Sequence, residues 1–453
     1  METLIKIGQL LLSLSILIVL HELGHFLFAR LFKTRVEKFY LFFDAWFSLF
    51  KIKKGDTEYG IGWLPLGGYV KISGMIDESM DKAQLAKPPQ PYEFRSKKSW
   101  QRLLIMLGGV IVNLILGFVI YSMVLFTWGE QYIPNKSLNG GIWVIDSVMH
   151  STGLQTGDKI ISINGTEPER YSDILEEMLY GGTMLVDRQG QHVELSIPTN
   201  LAGLISDNRI LNEGLLLSPR IPFLVGEIPA DSPNKNAGLK ALDKVVGING
   251  IPMQWYDQFK PVLDSLKGKT VSLLVVRDNS EINLDVTISQ DGLIGVQIIS
   301  SLYQLEQLGY FEFVTYRYTF WQAIPAGFVM ARDKLQSYIR QFKLIFNFDT
   351  GAYKGIGGFK AIGGLFPPVW HWQSFWELTA FLSLMLAFLN ILPIPALDGG
   401  HVSFLIFEMI TGRKPGDKFL EYAQIVGMVL LLFLLLYANG NDVYRWILKL
   451  MGS

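Results

Sequence analysis

A chain of 453 residues with 49% hydrophobic residues and a mean hydropathy of +0.28 reads as a membrane protein rather than a soluble domain. A formal net charge of −1 leaves no basic footprint for nucleic acid, and the absence of cysteine excludes disulfides, thiol catalysis and Cys-ligated metals. Histidine and carboxylates are the metal ligands that remain.

The first apolar run, residues 5–28, is long enough to cross a bilayer, which takes about 20 residues at helical rise. It holds His21-Glu22-Leu23-Gly24-His25. Positions i and i+4 share a helix face, so the imidazoles of His21 and His25 aim at one point, with Glu22 beside it. This is the two-histidine zinc pattern with a glutamate as general base. The plainer alternative is a pair of buried polar side chains satisfied by neighbouring helices. A signal peptide is rejected, because the run carries the motif and no small-residue cleavage site follows.

Arg30, Lys33, Arg35 and Lys38, then Lys51, Lys53, Lys54, Lys97, Lys98 and Arg102, place residues 31–102 on the cytoplasmic side and the N-terminus outside. Within this loop, residues 59–75 alternate like strands around several glycines and Pro65. Trp63, Leu64, Leu66 and Tyr69 are apolar without a helical stripe. The expectation is a β-hairpin, either dipping into the membrane or lying as an ordinary cytoplasmic hairpin. A second span covers 103–127, where Gly108, Gly109 and Gly117 allow close helix approach. Asn113 can bond across helices or orient a group near the metal.

Residues 132–301 turn soluble in character, and the topology puts them outside the cytoplasm. Residues 153–165 recur in pattern at 238–250: a turn, an apolar β-branched run and an Asn-Gly hairpin signal. Two β-rich units are expected, 132–219 and 220–301, each with a helix after the Asn-Gly turn (172–179 and 256–266). They are spacers or peptide binders that work by strand addition. Residues 310–372 are aromatic-rich and suggest an interfacial helix, or one packed on the preceding domain. The third span, 374–400, runs into Asn390-Ile391-Leu392-Pro393-Ile394-Pro395-Ala396-Leu397-Asp398-Gly399-Gly400-His401, where the prolines leave carbonyls without partners. A fourth span covers 422–438. Arg413, Lys414 and Lys418 before it keep that loop cytoplasmic, so both termini lie outside.

Catalytic zinc takes three protein ligands and an open position. Asp398 is the better third ligand, a carboxylate on a broken span whose cytoplasmic end matches that of the first. His401 is a rival ligand or a hydrogen-bond partner to one, while His150, His192 and His371 sit elsewhere. Such a site hydrolyses peptide bonds: zinc activates water, and Glu22 takes its proton and delivers it to the leaving amine. The substrate must be extended, since a helix hides its carbonyls. Asn390, the proline-broken backbone and the 59–75 hairpin are candidates to pair with it.

These motifs resemble the site-2 metalloprotease family, in its bacterial branch with tandem PDZ domains. The likeness rests on HELGH, the PLGGYVK hairpin, the glycine-and-Asn113 second span, the two repeats and NILPIPALDGGH, and it covers nearly the whole chain. It implies a polytopic α-helical membrane protein of four transmembrane helices, with a membrane re-entrant β-hairpin and two inserted β-rich PDZ-like domains. It further implies a zinc endopeptidase of the bacterial inner membrane, working as a monomer. Its substrates would be single-span membrane proteins, an anti-sigma factor or remnant signal peptides, already trimmed by a first outer cut. The PDZ tandem would filter substrates by size from the periplasm, with the active site toward the cytoplasm. Carried over by motif, His21, His25 and Asp398 bind zinc and Glu22 is the base. Asn390, Pro393 and Pro395, with Gly67, Gly68 and Tyr69 of the hairpin, handle substrate. The chain departs from the pattern at Val110–Val112, where relatives often have Gly-Pro before the Asn, and at Leu242, where Gly usually precedes the Asp. The rival functions are a non-catalytic zinc-binding adaptor that presents PDZ modules and a metal transporter. The transporter reading is disfavoured, because no repeated broken helices appear.

Overall fold

Long apolar runs become long helices in the computed structural model, which describes residues 1–65, 67–75, 88–208 and 215–451. Leu66, one of the apolar residues of the expected hairpin, lies outside the described residues. Two units emerge. One comprises residues 1–129, 317–343 and everything from 356 on; the other comprises 130–316 and 344–355.

The first unit holds helices α1 (Glu2–Leu31), α2 (Ser99–Thr127), α3 (Phe320–Phe346), the short α4 (Phe359–Gly364), α5 (Trp372–Ile391), α6 (Asp398–Thr411) and α7 (Asp417–Met451). Among the described residues, α1, α2, α5 and α7 are the four long and apolar enough to cross a membrane. Glycine sets their spacing. A Cβ on Gly24 of α1 would overlap the Gly108 carbonyl of α2, so the two backbones touch where a side chain would hold them apart. Polar side chains tie the rest: Ser383 Oγ of α5 donates to the Asn113 carbonyl of α2 at 2.7 Å, and Thr379 Oγ1 donates to Ser13 of α1 at 3.0 Å. In α3, the small residues Ala323, Gly327 and Ala331 are buried at spacings of one turn, and Gly327 rests on Ser122 of α2. Phe320, Trp321 and Phe328 are exposed, with Phe328 against Phe118 and Phe320 against Phe126 of α2.

Two spans differ from their expected bounds. The stretch 374–400 is not one helix: α5 stops at Ile391, the chain is irregular through Leu397, and α6 begins at Asp398. Pro393 and Pro395 lack donors, and their rings exclude the preceding helical turn, so the break is obligatory. The last span runs well beyond 422–438. Asn439, Asn441 and Asp442 depress its hydropathy, yet each has a partner. Asp442 Oδ2 accepts from the amides of Gly358 (3.0 Å) and Ala361 (3.2 Å), and Asn441 Nδ2 donates to the Ile356 carbonyl at 2.7 Å. The two Asp442 bonds satisfy amides at the N-terminus of α4, which otherwise lack intrahelical acceptors.

Between α1 and α2 lies a four-stranded sheet of β1 (Val36–Leu41), β2 (Phe43–Lys54), β3 (Thr57–Leu64) and β4 (Tyr69–Ile72), in the order β2-β3-β1-β4. The expected two-stranded hairpin over 59–75 is therefore corrected: β3 and β4 are not neighbours, because β1 runs between them, parallel to β3. The true hairpin is β2–β3, turned at Gly55 with φ +64°. Its β2 face is unusually apolar for an exposed strand. Trp46 is 92% exposed, Phe47, Leu49, Phe50 and Ile52 are also exposed, and Trp46 and Phe47 stack on Trp63. Strand β4 is left at an edge of the sheet.

The second unit is closed at its ends by antiparallel pairing of Glu130–Tyr132 with Val314–Tyr316, the latter a strand inside the stretch expected to be helical. Two repeats follow one another with separate cores, one around Ile160, Met184 and Val186, the other around Val245, Leu273 and Val275. Asn164 (φ 51°) with Gly165 (φ 77°) and Asn249 (φ 50°) with Gly250 (φ 79°) form the left-handed turns that Asn-Gly signals. Helices Tyr171–Met178 and Tyr256–Ser265 follow where the spacing placed them. A second correspondence was not legible. Arg188 forks onto buried Asp158 and reaches the Gly153 carbonyl, and Arg277 does the same to Asp243 and Gly238. Where the first repeat has Gly157 at φ +100°, the second has Leu242 at φ +69°, a conformation that L side chains adopt at a cost.

Candidate metal centre and cavity

The helical spacing of His21 and His25 brings their Nε2 atoms to 3.3 Å, and Asp398 Oδ2 lies 3.2 Å from the first and 3.3 Å from the second. The three donor atoms form a nearly equilateral triangle. Tetrahedral zinc, with ligand distances of about 2.0–2.1 Å, requires donors about 3.3 Å apart. Among the described residues these three are the group of His and carboxylate donors close enough to hold one metal ion. Asp398 Oδ2 is buried with no hydrogen-bond partner, an orphan that a cation would satisfy. Donor chemistry and spacing both fit zinc.

Outer contacts orient the imidazoles. His25 Nδ1 lies 2.8 Å from the Ile105 carbonyl, so that nitrogen carries the proton and Nε2 presents its lone pair to the triangle. His21 Nδ1 meets the fully buried Asn113 amide at 3.2 Å. With Nδ2 facing the ring, Asn113 Oδ1 is left without a partner. Turning the amide about its last bond offers that oxygen to Nδ1–H and frees His21 Nε2 in the same way. Gly109 supplies the room. A Cβ there would lie 2.5 Å from His21 Cε1 and 2.6 Å from His25 Nε2.

Asp398 arrives from the other side. It opens α6, where the helix N-terminus favours a carboxylate. Gly399 and Gly400 fold against the backbone of residues 391–395, where any side chain would collide. Ala396, at φ +82°, holds the strained turn before it.

The triangle opens into a cavity of about 630 Å³ that is also lined by Glu22, Lys38, Asp44, Gly68, Tyr69, His401 and Gln424. The backbone at Gly68 passes close to Glu22: a Cβ there would sit 3.4 Å from Glu22 Cγ. Beside it, Tyr69 Oη donates to Asp44 Oδ1 at 2.8 Å, and Lys38 Nζ lies 3.3 Å from both side chains. Burial works against the Asp44 charge, but the Tyr69 bond and the Lys38 ammonium outweigh it and hold the carboxyl below its ordinary range.

Of the residues expected to handle substrate, Gly68 and Tyr69 line the cavity and Gly67 directly precedes them. Asn390, Pro393 and Pro395 are not among the lining residues, although Ala396 and Leu397 are. Asn390 is half-buried on the last turn of α5, Pro393 is exposed, and Pro395 sits against Gly400 and Gly427. His401 lines the cavity and stands outside the donor triangle. Lys38, Asp44 and Gln424 had not been singled out. The signal available for the last was a lone amide in an apolar span.

Residues 9–434 match the family model described as Peptidase family M50. The chain is similar over nearly its full length to a provisionally named zinc metalloprotease of Neisseria meningitidis, at 28% identity over 96% of this chain and 97% of the relative. It is also similar to the regulator of sigma E protease of Haemophilus influenzae, at 25% identity over 98% and 100% of the two chains. The regulator of sigma-E protease of Salmonella typhimurium matches at 24% identity over 97% and 98%.

Proposed function

The chain belongs to peptidase family M50 and is a metalloendopeptidase; on that basis we propose that it cuts transmembrane segments of other membrane proteins, using zinc held by His21, His25 and Asp398. The observation that carries this reading is the donor triangle opening beside Glu22 into one cavity, built on helices long enough to cross a membrane. Zinc held by these three residues would supply Lewis acidity to a water and to the scissile carbonyl. Glu22 takes the proton from that water on a carboxylate oxygen and returns it to the departing amine. Its place beside the Gly68 backbone supports an extended substrate that adds as a further strand to β4, an edge strand among the described residues. The Tyr69–Asp44–Lys38 contacts stiffen the start of that edge, while Asn390, Pro393 and Pro395 act through the backbone they shape ahead of Ala396 and Leu397, which line the cavity.

The outward aromatic face of β2 supports a sheet immersed in lipid, as a re-entrant element would be. The two repeats serve as PDZ-like filters that admit only substrates whose outer domain has been removed. We place it in a bacterial inner membrane, with an anti-sigma factor or leftover signal peptides as substrates; the relatives named as regulators of sigma E protease support that reading. The test is Glu22→Gln in the full chain reconstituted in liposomes with a single-span substrate. Zinc content stays at the wild-type level while turnover falls at least about 100-fold. Cleavage at the wild-type rate by the variant overturns the assignment.

A further inference from the structure

The cavity at the metal centre continues into a second of about 280 Å³, and Met75, His401 and Gln424 line both. Gln424 comes from α7, the last long helix, and is 6% exposed. Its amide finds no hydrogen-bond partner among the described residues, although it lines both cavities. The residue is buried while its amide reaches the cavity, so its donor and acceptor are open to whatever enters there. Its position is fixed independently. Three residues on and on the same helix face, Gly427 lies so close to the Pro395 carbonyl that no Cβ fits, so α7 is seated on the segment leading to Asp398.

The chemistry of what enters follows from the amide. A peptide drawn into extended form exposes donors and acceptors along both of its edges. Strand β4 can satisfy one edge. The other edge needs partners from the opposite wall, and a carboxamide offers both a donor and an acceptor, the complement of one peptide group. We propose that Gln424 hydrogen-bonds the backbone of the extended substrate at the neck between the two cavities, holding it across the metal centre whatever its side chains. This rests on the reading that the chain cleaves unwound membrane segments.

The test uses the full chain in liposomes, a single-span peptide substrate, and the same peptide with one backbone amide near the scissile bond replaced by an ester. Gln424→Leu and Gln424→Met are expected to raise KM about 2- to 12-fold, the worth of one neutral hydrogen bond, with kcat and zinc content unchanged. For the wild type, scanning the ester along the peptide finds one position with a comparable loss. In the variants that position loses nothing further, because the bond is already gone. Unchanged KM, fully additive losses, or joint loss of zinc and folded protein in both variants overturns the proposal. Absence of cleavage by the wild type would instead remove the proteolysis reading beneath it.

Discussion

Gly109→Ala separates the packing argument from simple helix propensity. A Cβ at this position would lie 2.5 Å from His21 Cε1, 2.6 Å from His25 Nε2 and 2.7 Å from His21 Nδ1. Ordinary contacts to carbon lie at about 3.5–4.0 Å, so the shortfall is about 1 Å. The rings cannot swing aside freely, because His25 Nδ1 is held by the Ile105 carbonyl and His21 Nδ1 by Asn113. Parting the helices would relieve the clash only by giving up the close backbone packing of Gly24 on Gly108. Metal sites tolerate ligand displacements of about 0.2 Å. A displacement several times larger predicts at least about a 100-fold loss of zinc affinity, or about 2.8 kcal/mol at 1.4 kcal/mol per decade. Propensity alone argues the other way, since alanine stabilises a helix interior over glycine by about 0.5–1 kcal/mol. The assay is metal content of the purified full chain equilibrated against buffered zinc, with circular dichroism to confirm the helices. Gly117→Ala is the control: its Cβ meets the Leu384 Cδ2 methyl, the movable end of a side chain, and zinc should be kept. Wild-type zinc affinity in Gly109→Ala would refute the reasoning.

Asn113→Leu removes the amide that orients His21, and zinc affinity should fall about 10- to 100-fold by the same equilibration, with the helices intact; an unchanged affinity would show that the ring needs no such support. In the second repeat, burial raises the Asp243 carboxyl, but the Arg277 fork and the Lys240 amide outweigh it and hold the group below its ordinary range. Because the folded value is the lower one, this stabilisation is present above about pH 4 and is lost as pH falls through the folded value. Protease sensitivity of residues 130–316 should therefore rise in acid for the wild type, and already at pH 7 for Arg277→Met; identical profiles would sink the assignment.

The metal centre was legible because its geometry is local. The i, i+4 spacing of His21 and His25 aims two candidate donors at one point without any knowledge of the fold, and proline-broken backbone made Asp398 stand out. The sheet was not, because its decisive pairing is non-local: β1 inserts between β3 and β4, and no pattern within 59–75 reveals a strand at 36–41. Hydropathy misjudged α7 for a related reason. Asn439, Asn441 and Asp442 look like the end of a span until their partners at 356–361 are known. The two Arg–Asp forks escaped notice because each arginine lies about 30 residues from its aspartate, beyond the repeated block that aligned the copies.

The bonds from Asp442 to Gly358 and Ala361 have a temporal meaning. Synthesis runs from the N-terminus, so these two amides are made more than 80 residues before the carboxylate that receives them. The donor triangle can close once Asp398 has emerged, but the short α4 keeps unsatisfied donors until the last helix is threaded. Completion of the chain is thus recorded at a single buried carboxylate. A chain stopped before α7 leaves both amides without their acceptor and removes Gly427 from the Pro395 segment that leads to Asp398.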